Sequence, residues 1–244
     1  RAKIVSVPLK QPSFTPDVEA ILNAVTPRTR LLFVCNPNNP TGTVMPAAQM
    51  DYLVKNMPEH VIIVTDDVYC HFVTDERYPD NVQYITEEYP VIRIQTFSKA
   101  YGMSGLRVGY AISHPDVADM LNRVRQPFNV TALSLAGACA ALQDESYLNE
   151  SIELNQAGLG QLALGFKRLG LEYIPSVANF ITFKLPFNAE QVYLSLLQKG
   201  VIVRPVANYG MHQHLRVSIG LAAENAAFLS SLASVLVDIE EQAP

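Results

Sequence analysis

The densest chemistry in the sequence lies in Thr96-Phe97-Ser98-Lys99-Ala100-Tyr101-Gly102-Met103-Ser104-Gly105-Leu106-Arg107, which gathers hydroxyls, an amine, two glycines and a guanidinium. A lone loop lysine is usually a solvated surface charge. This one has the neighbours that an anion pocket beside a reactive amine would need. Two further segments stand out. Asn36-Pro37-Asn38-Asn39-Pro40-Thr41-Gly42 combines prolines that fix the backbone with asparagines that present amide donors on a rigid turn. Asp66-Asp67-Val68-Tyr69 sets two carboxylates and a phenol directly after an apolar run. Singly these read as a turn and a helix cap, but all three follow predicted strands in succession.

The elements that must hold them alternate short β-rich runs with amphipathic helical stretches, the pattern of an α/β protein with a mostly parallel sheet. Thr15-Pro16-Asp17 starts a helix through about Val25, since Pro fits a first turn and Asp favours the positive helix end. Residues 31–35 read as a buried strand, 47–55 as a helix, and 61–65 as a parallel strand covered on both faces. Residues 91–95 and 107–112 continue the sheet. In such a sheet ligands collect beyond the carboxyl ends of the strands, which is where the three segments fall.

After His114-Pro115-Asp116 the pattern turns helical over 117–126, 132–142 and 145–169, although Gly158, Gly160 and Gly165 weaken the last as one continuous helix. From Gly170 the order becomes strand (171–174), strand (179–185), helix (189–199), strand (201–204), strand (214–219), helix (223–239). A smaller C-terminal α+β domain is therefore expected, with the boundary inside the long helix. We divide the chain into a large domain over 1–155 and a small one over 156–244.

Composition narrows the class. The 244 residues are 49% hydrophobic and 17% charged, a globular balance that excludes disorder. A net charge of −5 and a pI near 5.5 offer no basic field for nucleic acid or an anionic membrane. No uninterrupted apolar run approaches the ~18 residues needed to span a bilayer. Cys35, Cys70 and Cys139 are odd in number and widely spaced, which suits reduced thiols in a cytoplasmic protein better than a disulfide framework or a metal site.

Together the three segments resemble the pyridoxal-phosphate-dependent aminotransferases of the aspartate-aminotransferase fold, in the family's order and over essentially the whole chain. Asn36 to Gly42 resembles the family's Asn-Pro-Thr-Gly turn. Asp66 to Tyr69 resembles its Asp-Glu-Val-Tyr strand end, with Asp67 in place of the commoner Glu. Ser98-Lys99 through Arg107-Val108-Gly109-Tyr110 resembles its Schiff-base lysine motif.

The resemblance implies a three-layer large domain, pyridoxal 5'-phosphate as cofactor, and catalytic roles for Lys99, Asp66 and Tyr69. Lys99 would attach to the cofactor aldehyde and then move the substrate's α-proton. Asp66 would pair with the pyridinium nitrogen, an attraction of roughly 4 kcal/mol at ~4 Å and an effective dielectric of 20, before desolvation. Asn39 and Tyr69 would hydrogen-bond the cofactor's phenolate oxygen, and Thr96, Ser98 and Arg107 would hold its phosphate.

Near the C-terminus, Gly200-Val201-Ile202-Val203-Arg204-Pro205, Asn208-Tyr209-Gly210-Met211 and Leu215-Arg216-Val217-Ser218-Ile219-Gly220 look most like histidinol-phosphate aminotransferases, and Ala178-Asn179-Phe180 fits the same subgroup. Arg216 resembles the arginine that receives the substrate's anionic group. Arg204 adds a second cation, and two guanidinium forks suit a phosphate dianion better than a single carboxylate. Tyr209 and His212, between the arginines, could also contact substrate. The implied reaction is transfer of the amino group of L-histidinol phosphate to 2-oxoglutarate by a homodimer. An aromatic aminotransferase, a decarboxylase of the same fold and a non-catalytic protein are the alternatives. The chain opens on Arg1 rather than Met and its resemblance begins part-way through the family's large domain, so an N-terminally truncated sequence is expected.

Overall fold

The computed structural model describes residues 2–86 and 90–241. Arg1, which prompted the expectation of a truncated start, lies outside them. The chain divides into two compact units, Arg1–Asn39 with Thr43–Asn149, and Pro40–Gly42 with Glu150–Pro244.

The first unit is built on a four-stranded sheet of β1 (Leu31–Cys35), β2 (Ile62–Asp66), β3 (Val91–Thr96) and β4 (Gly109–Ile112), in that spatial order. The first three strands are parallel, with Cys35 opposite Asp66 and Asp66 opposite Ile94, so their carboxyl ends are level. β4 runs antiparallel to β3. It begins at Gly109 rather than Arg107, because Arg107 adopts a left-handed conformation with φ +51°. Helices α1 (Val18–Ala24) and α2 (Ala47–Lys55) supply Val18, Met50, Leu53 and Val54 to a core with Val34, Ile63 and Val91. Asp17 caps α1 by accepting from the Ala20 amide, and the helix begins directly after the Thr15-Pro16-Asp17 segment, at Val18.

β2 is enclosed on both faces as expected, but β1 is not. It is an edge strand whose Leu31 and Phe33 are 51% and 68% exposed, since alternate side chains point away from the core formed by Val34. Helices α3 (Pro115–Val124) and α4 (Ala132–Ala141) complete the unit.

Helix α5 (Glu145–Arg168) runs unbroken through its three glycines. Two of them are there for proximity: a Cβ at Gly158 would come within 2.3 Å of Ile219, and one at Gly165 within 2.4 Å of Leu229. The close packing they permit offsets the ~1 kcal/mol of helix propensity each one costs.

The second unit carries an antiparallel sheet in the order β5 (Tyr173–Ile174), β6 (Phe180–Lys184), β8 (His214–Ser218), β7 (Arg204–Pro205). β7 is shorter than the sequence predicts and starts at Arg204; Val201 to Val203 lead into it as irregular chain. One face of this sheet, with Ile181, Phe183, Leu215 and Val217, packs against α5, α6 (Ala189–Gln198) and α7 (Ala222–Glu241). α7 is long and apolar enough by length and composition to cross a bilayer. Its Phe228, Leu232, Val235, Leu236 and Ile239 instead form the centre of this core.

Candidate active site

In the first unit the functional side chains gather at the carboxyl edge of the parallel strands. Asp66 ends β2 and Thr96 ends β3; the turn that follows β3 brings in Ser98 and Lys99. The Thr96 hydroxyl accepts from the Ser98 amide at 3.1 Å, which starts that turn. The Lys99 ammonium stands over the buried Tyr69 ring, 5.2 Å from its centroid, and its charge acts on Asp66. Burial raises the Asp66 carboxyl above the usual carboxylate range, while the Val68 amide and the Lys99 ammonium oppose the rise.

Arg107 reaches back to this turn. Its Nη1 donates to the Ser104 carbonyl at 2.9 Å and lies 3.5 Å from the Ser98 hydroxyl, on an exposed surface. The left-handed backbone aims the guanidinium there, at a strain of roughly 1 kcal/mol for a residue with a Cβ. A hydroxyl and a guanidinium converging within a few residues of a lysine make a site for an anion held beside an amine.

Asn39 follows β1 in the turn that begins with a cis Asn36-Pro37 bond. The turn is held by Asn36, whose side chain donates to the Met45 carbonyl and accepts from the Met45 amide, and by the Tyr78 hydroxyl donating to the Asn36 carbonyl at 2.6 Å.

Sequence reading passed over the polar network on the other face of β2 and β3. Asp67 is fully buried and accepts from Asn81 Nδ2 at 3.0 Å and Arg93 Nε at 2.8 Å. Gln95 donates to the Cys70 sulfur at 2.9 Å and accepts from the Tyr110 hydroxyl. Arg93 stands opposite Thr65, two residues before Asp67, so all three share a face and Asp66 points to the other. A charged residue in the middle of an apolar strand was the available signal for this network.

In the second unit, Arg204 of β7 and Arg216 of β8 are direct register partners, side by side on the sheet face away from the core. The Arg216 guanidinium lies over the Phe180 ring at 4.7 Å. On the same face the Thr182 hydroxyl donates to the Pro40 carbonyl. Tyr209 and His212 are exposed; His212 lines a cavity with His214, Tyr193 and Glu190 beside the start of α6.

The family model for class I and II aminotransferases matches residues 1–232. The chain belongs to that family. A histidinol-phosphate aminotransferase of Pseudomonas fluorescens is 52% identical over 220 residues, 90% of this chain and 60% of that protein. One from Nitrosococcus oceani is 48% identical over 96% of this chain and 63% of its own length. The chain thus spans about three fifths of the curated aminotransferases it matches. Among solved structures, the Sinorhizobium meliloti histidinol-phosphate aminotransferase in complex with pyridoxal-5'-phosphate superposes with a TM-score of 0.89. It is 29% identical, and the match covers 97% of this chain and 65% of that one. A Thermus thermophilus aspartate aminotransferase variant superposes with a TM-score of 0.81 at 27% identity, covering 93% and 66%. The α/β architecture expected from sequence is therefore that of the aminotransferases.

Proposed function

We propose that this chain is the greater part of a pyridoxal-phosphate-dependent histidinol-phosphate aminotransferase. The observation that carries the reading is the grouping of the Lys99 amine, the Asp66 carboxylate and the Ser98–Arg107 pair at one strand edge. This donor set fits the cofactor: an amine for its aldehyde, a carboxylate for its ring nitrogen, and a guanidinium with hydroxyls for its phosphate. When bound, the cofactor supplies an electron-withdrawing ring that takes up the electrons released as the substrate Cα–H bond breaks.

The chain's residues do the rest. Lys99 Nζ would take the proton from the substrate α-carbon and pass it to the cofactor, which requires an amine depressed from its ordinary pKa near 10.4. Asp66 keeps the ring nitrogen protonated. Tyr69 and Asn39 hold the ring's phenolate oxygen, and Thr96, Ser98 and Arg107 hold the phosphate. These residues belong to a cofactor-binding domain, and the second unit to a smaller substrate-binding domain.

The substrate reading rests on Arg204 and Arg216. Like charges directly across a ladder destabilise it, and a shared dianion relieves that repulsion while satisfying both forks. Histidinol phosphate as amino donor and 2-oxoglutarate as acceptor fit such a pair, and the names of the relatives support the choice. The full-length enzyme assayed with histidinol phosphate, phenylalanine and aspartate as donors should prefer the first; preference for phenylalanine would replace the reading with an aromatic aminotransferase. A cytoplasmic homodimer completes the proposal, and sedimentation of an active monomer would remove its dimeric part.

A further inference from the structure

We infer that Phe180 is a positioning residue for anion recognition: its ring face fixes the Arg216 guanidinium in place to receive the substrate's anionic group. The inference rests on the reading of Arg216 as the receiver of the substrate's anionic end.

Register places the participants. Phe180 pairs with Ser218, and Thr182 with Arg216, so Phe180 and Thr182 share the face that carries Arg216. Residues of opposite parity on the same strands, Ile181, Phe183, Leu215 and Val217, form the core on the other side. Phe180 is nevertheless only 2% exposed, a buried ring outside that core. The Arg216 guanidinium lies over it, at 4.7 Å from the centroid.

An arginine side chain has several freely rotating bonds, and opposite Arg204 it would gain by swinging away from the like charge. Phe180 lies on β6, on the opposite side of β8 from Arg204, so its negative ring face attracts the guanidinium away from the like charge and holds it there as a fixed cation. A guanidinium fixed over a ring face remains a planar, pre-organised set of donors, which suits phosphate recognition. Thr182, the register partner of Arg216, cannot substitute as the holder, because its hydroxyl is committed to the Pro40 carbonyl.

The test is calorimetric titration of inorganic phosphate into the full-length, cofactor-loaded protein, in which the cofactor's own phosphate occupies the other anion site. Phe180→Leu keeps an apolar side chain and should weaken phosphate by about three- to tenfold, while Phe180→Tyr, which keeps the ring, should stay within twofold of wild type. Phe183→Leu, on the core face, should lower the thermal midpoint and leave phosphate affinity unchanged. Should Phe180→Leu not fold, pentafluorophenylalanine at position 180 retains the shape and reverses the ring's electrostatics, and it should weaken phosphate at least as much. Wild-type affinity in the leucine or fluorinated variant, or a tyrosine variant as weak as leucine, overturns the inference with the substrate reading intact. Phosphate binding to wild type that Arg216→Ala leaves unaltered overturns both.

Discussion

Arg216 on β8 faces Arg204 on β7 as its direct register partner, while its guanidinium lies over the Phe180 ring of β6, the neighbouring strand on the other side. Two arginines in register cost stability unless something anionic lies between them. Arg204→Ala should therefore weaken a phosphorylated substrate by about 1.5 to 3 kcal/mol, roughly ten- to a hundredfold in kcat/KM. A non-phosphorylated aromatic donor relying on Arg216 should lose less. Steady-state kinetics with both donors check this, and equal losses would reject the shared-dianion role.

Attachment of the cofactor should depend on Lys99, whose amine stands over Tyr69 at the strand edge that Asp66 closes. Borohydride reduction of the loaded enzyme followed by peptide mapping should leave the pyridoxyl group on Lys99. Label on another lysine would move the site.

Asp66→Asn should retain the cofactor yet lower turnover about a thousandfold, the rate equivalent of losing a charge pair of roughly 4 kcal/mol. In the proposed role the carboxylate would keep the cofactor's ring nitrogen protonated. Single-turnover rates with and without the substitution provide the measurement. Wild-type turnover would leave Asp66 without this role; Asp67 is a poor replacement, since it faces the opposite side and is committed to Arg93 and Asn81.

Arg107 offers a way to separate backbone from charge. Its φ of +51° suits glycine, so Arg107→Gly should release strain of about 1 kcal/mol that Arg107→Ala keeps, while both lose cofactor affinity equally. Thermal unfolding of the cofactor-free variants and fluorescence titration with pyridoxal phosphate would read the two effects independently. Unequal cofactor affinities would mean that the turn's shape, and not the guanidinium, carries the binding.

Asp67, fully buried, and Arg93, partly buried, form an ion pair that offsets part of the cost of burying the carboxylate. Arg93→Met should destabilise the protein by about 3 to 5 kcal/mol by stranding the carboxylate, and adding Asp67→Leu should restore most of the loss. Denaturant titrations of the single and double variants measure the recovery. A double variant no more stable than Arg93→Met would show that the surrounding amides and sulfur, rather than charge compensation, hold the network.

Local pattern was sufficient for much of this protein. Apolar runs at 31–35, 61–65 and 91–95 announced the strands that the structure places at Leu31–Cys35, Ile62–Asp66 and Val91–Thr96. Residue type and spacing drew attention to the segments that hold Lys99, Asp66 and Arg107, since polar groups that follow successive parallel strands lie near one sheet edge, and the family resemblance chose these three within them. Tertiary structure decided what depends on partners distant in sequence. It exposed one face of β1, because burial is a property of what packs against a strand and not of the strand's own composition. It carried α5 through three glycines, because close contacts with Ile219 and Leu229 outweigh propensity. It turned Arg107 out of the strand, committed Asp67 to Arg93, and set Arg204 opposite Arg216 with Phe180 beneath. Each is a matter of register and side-chain approach between segments that sequence periodicity describes only one at a time.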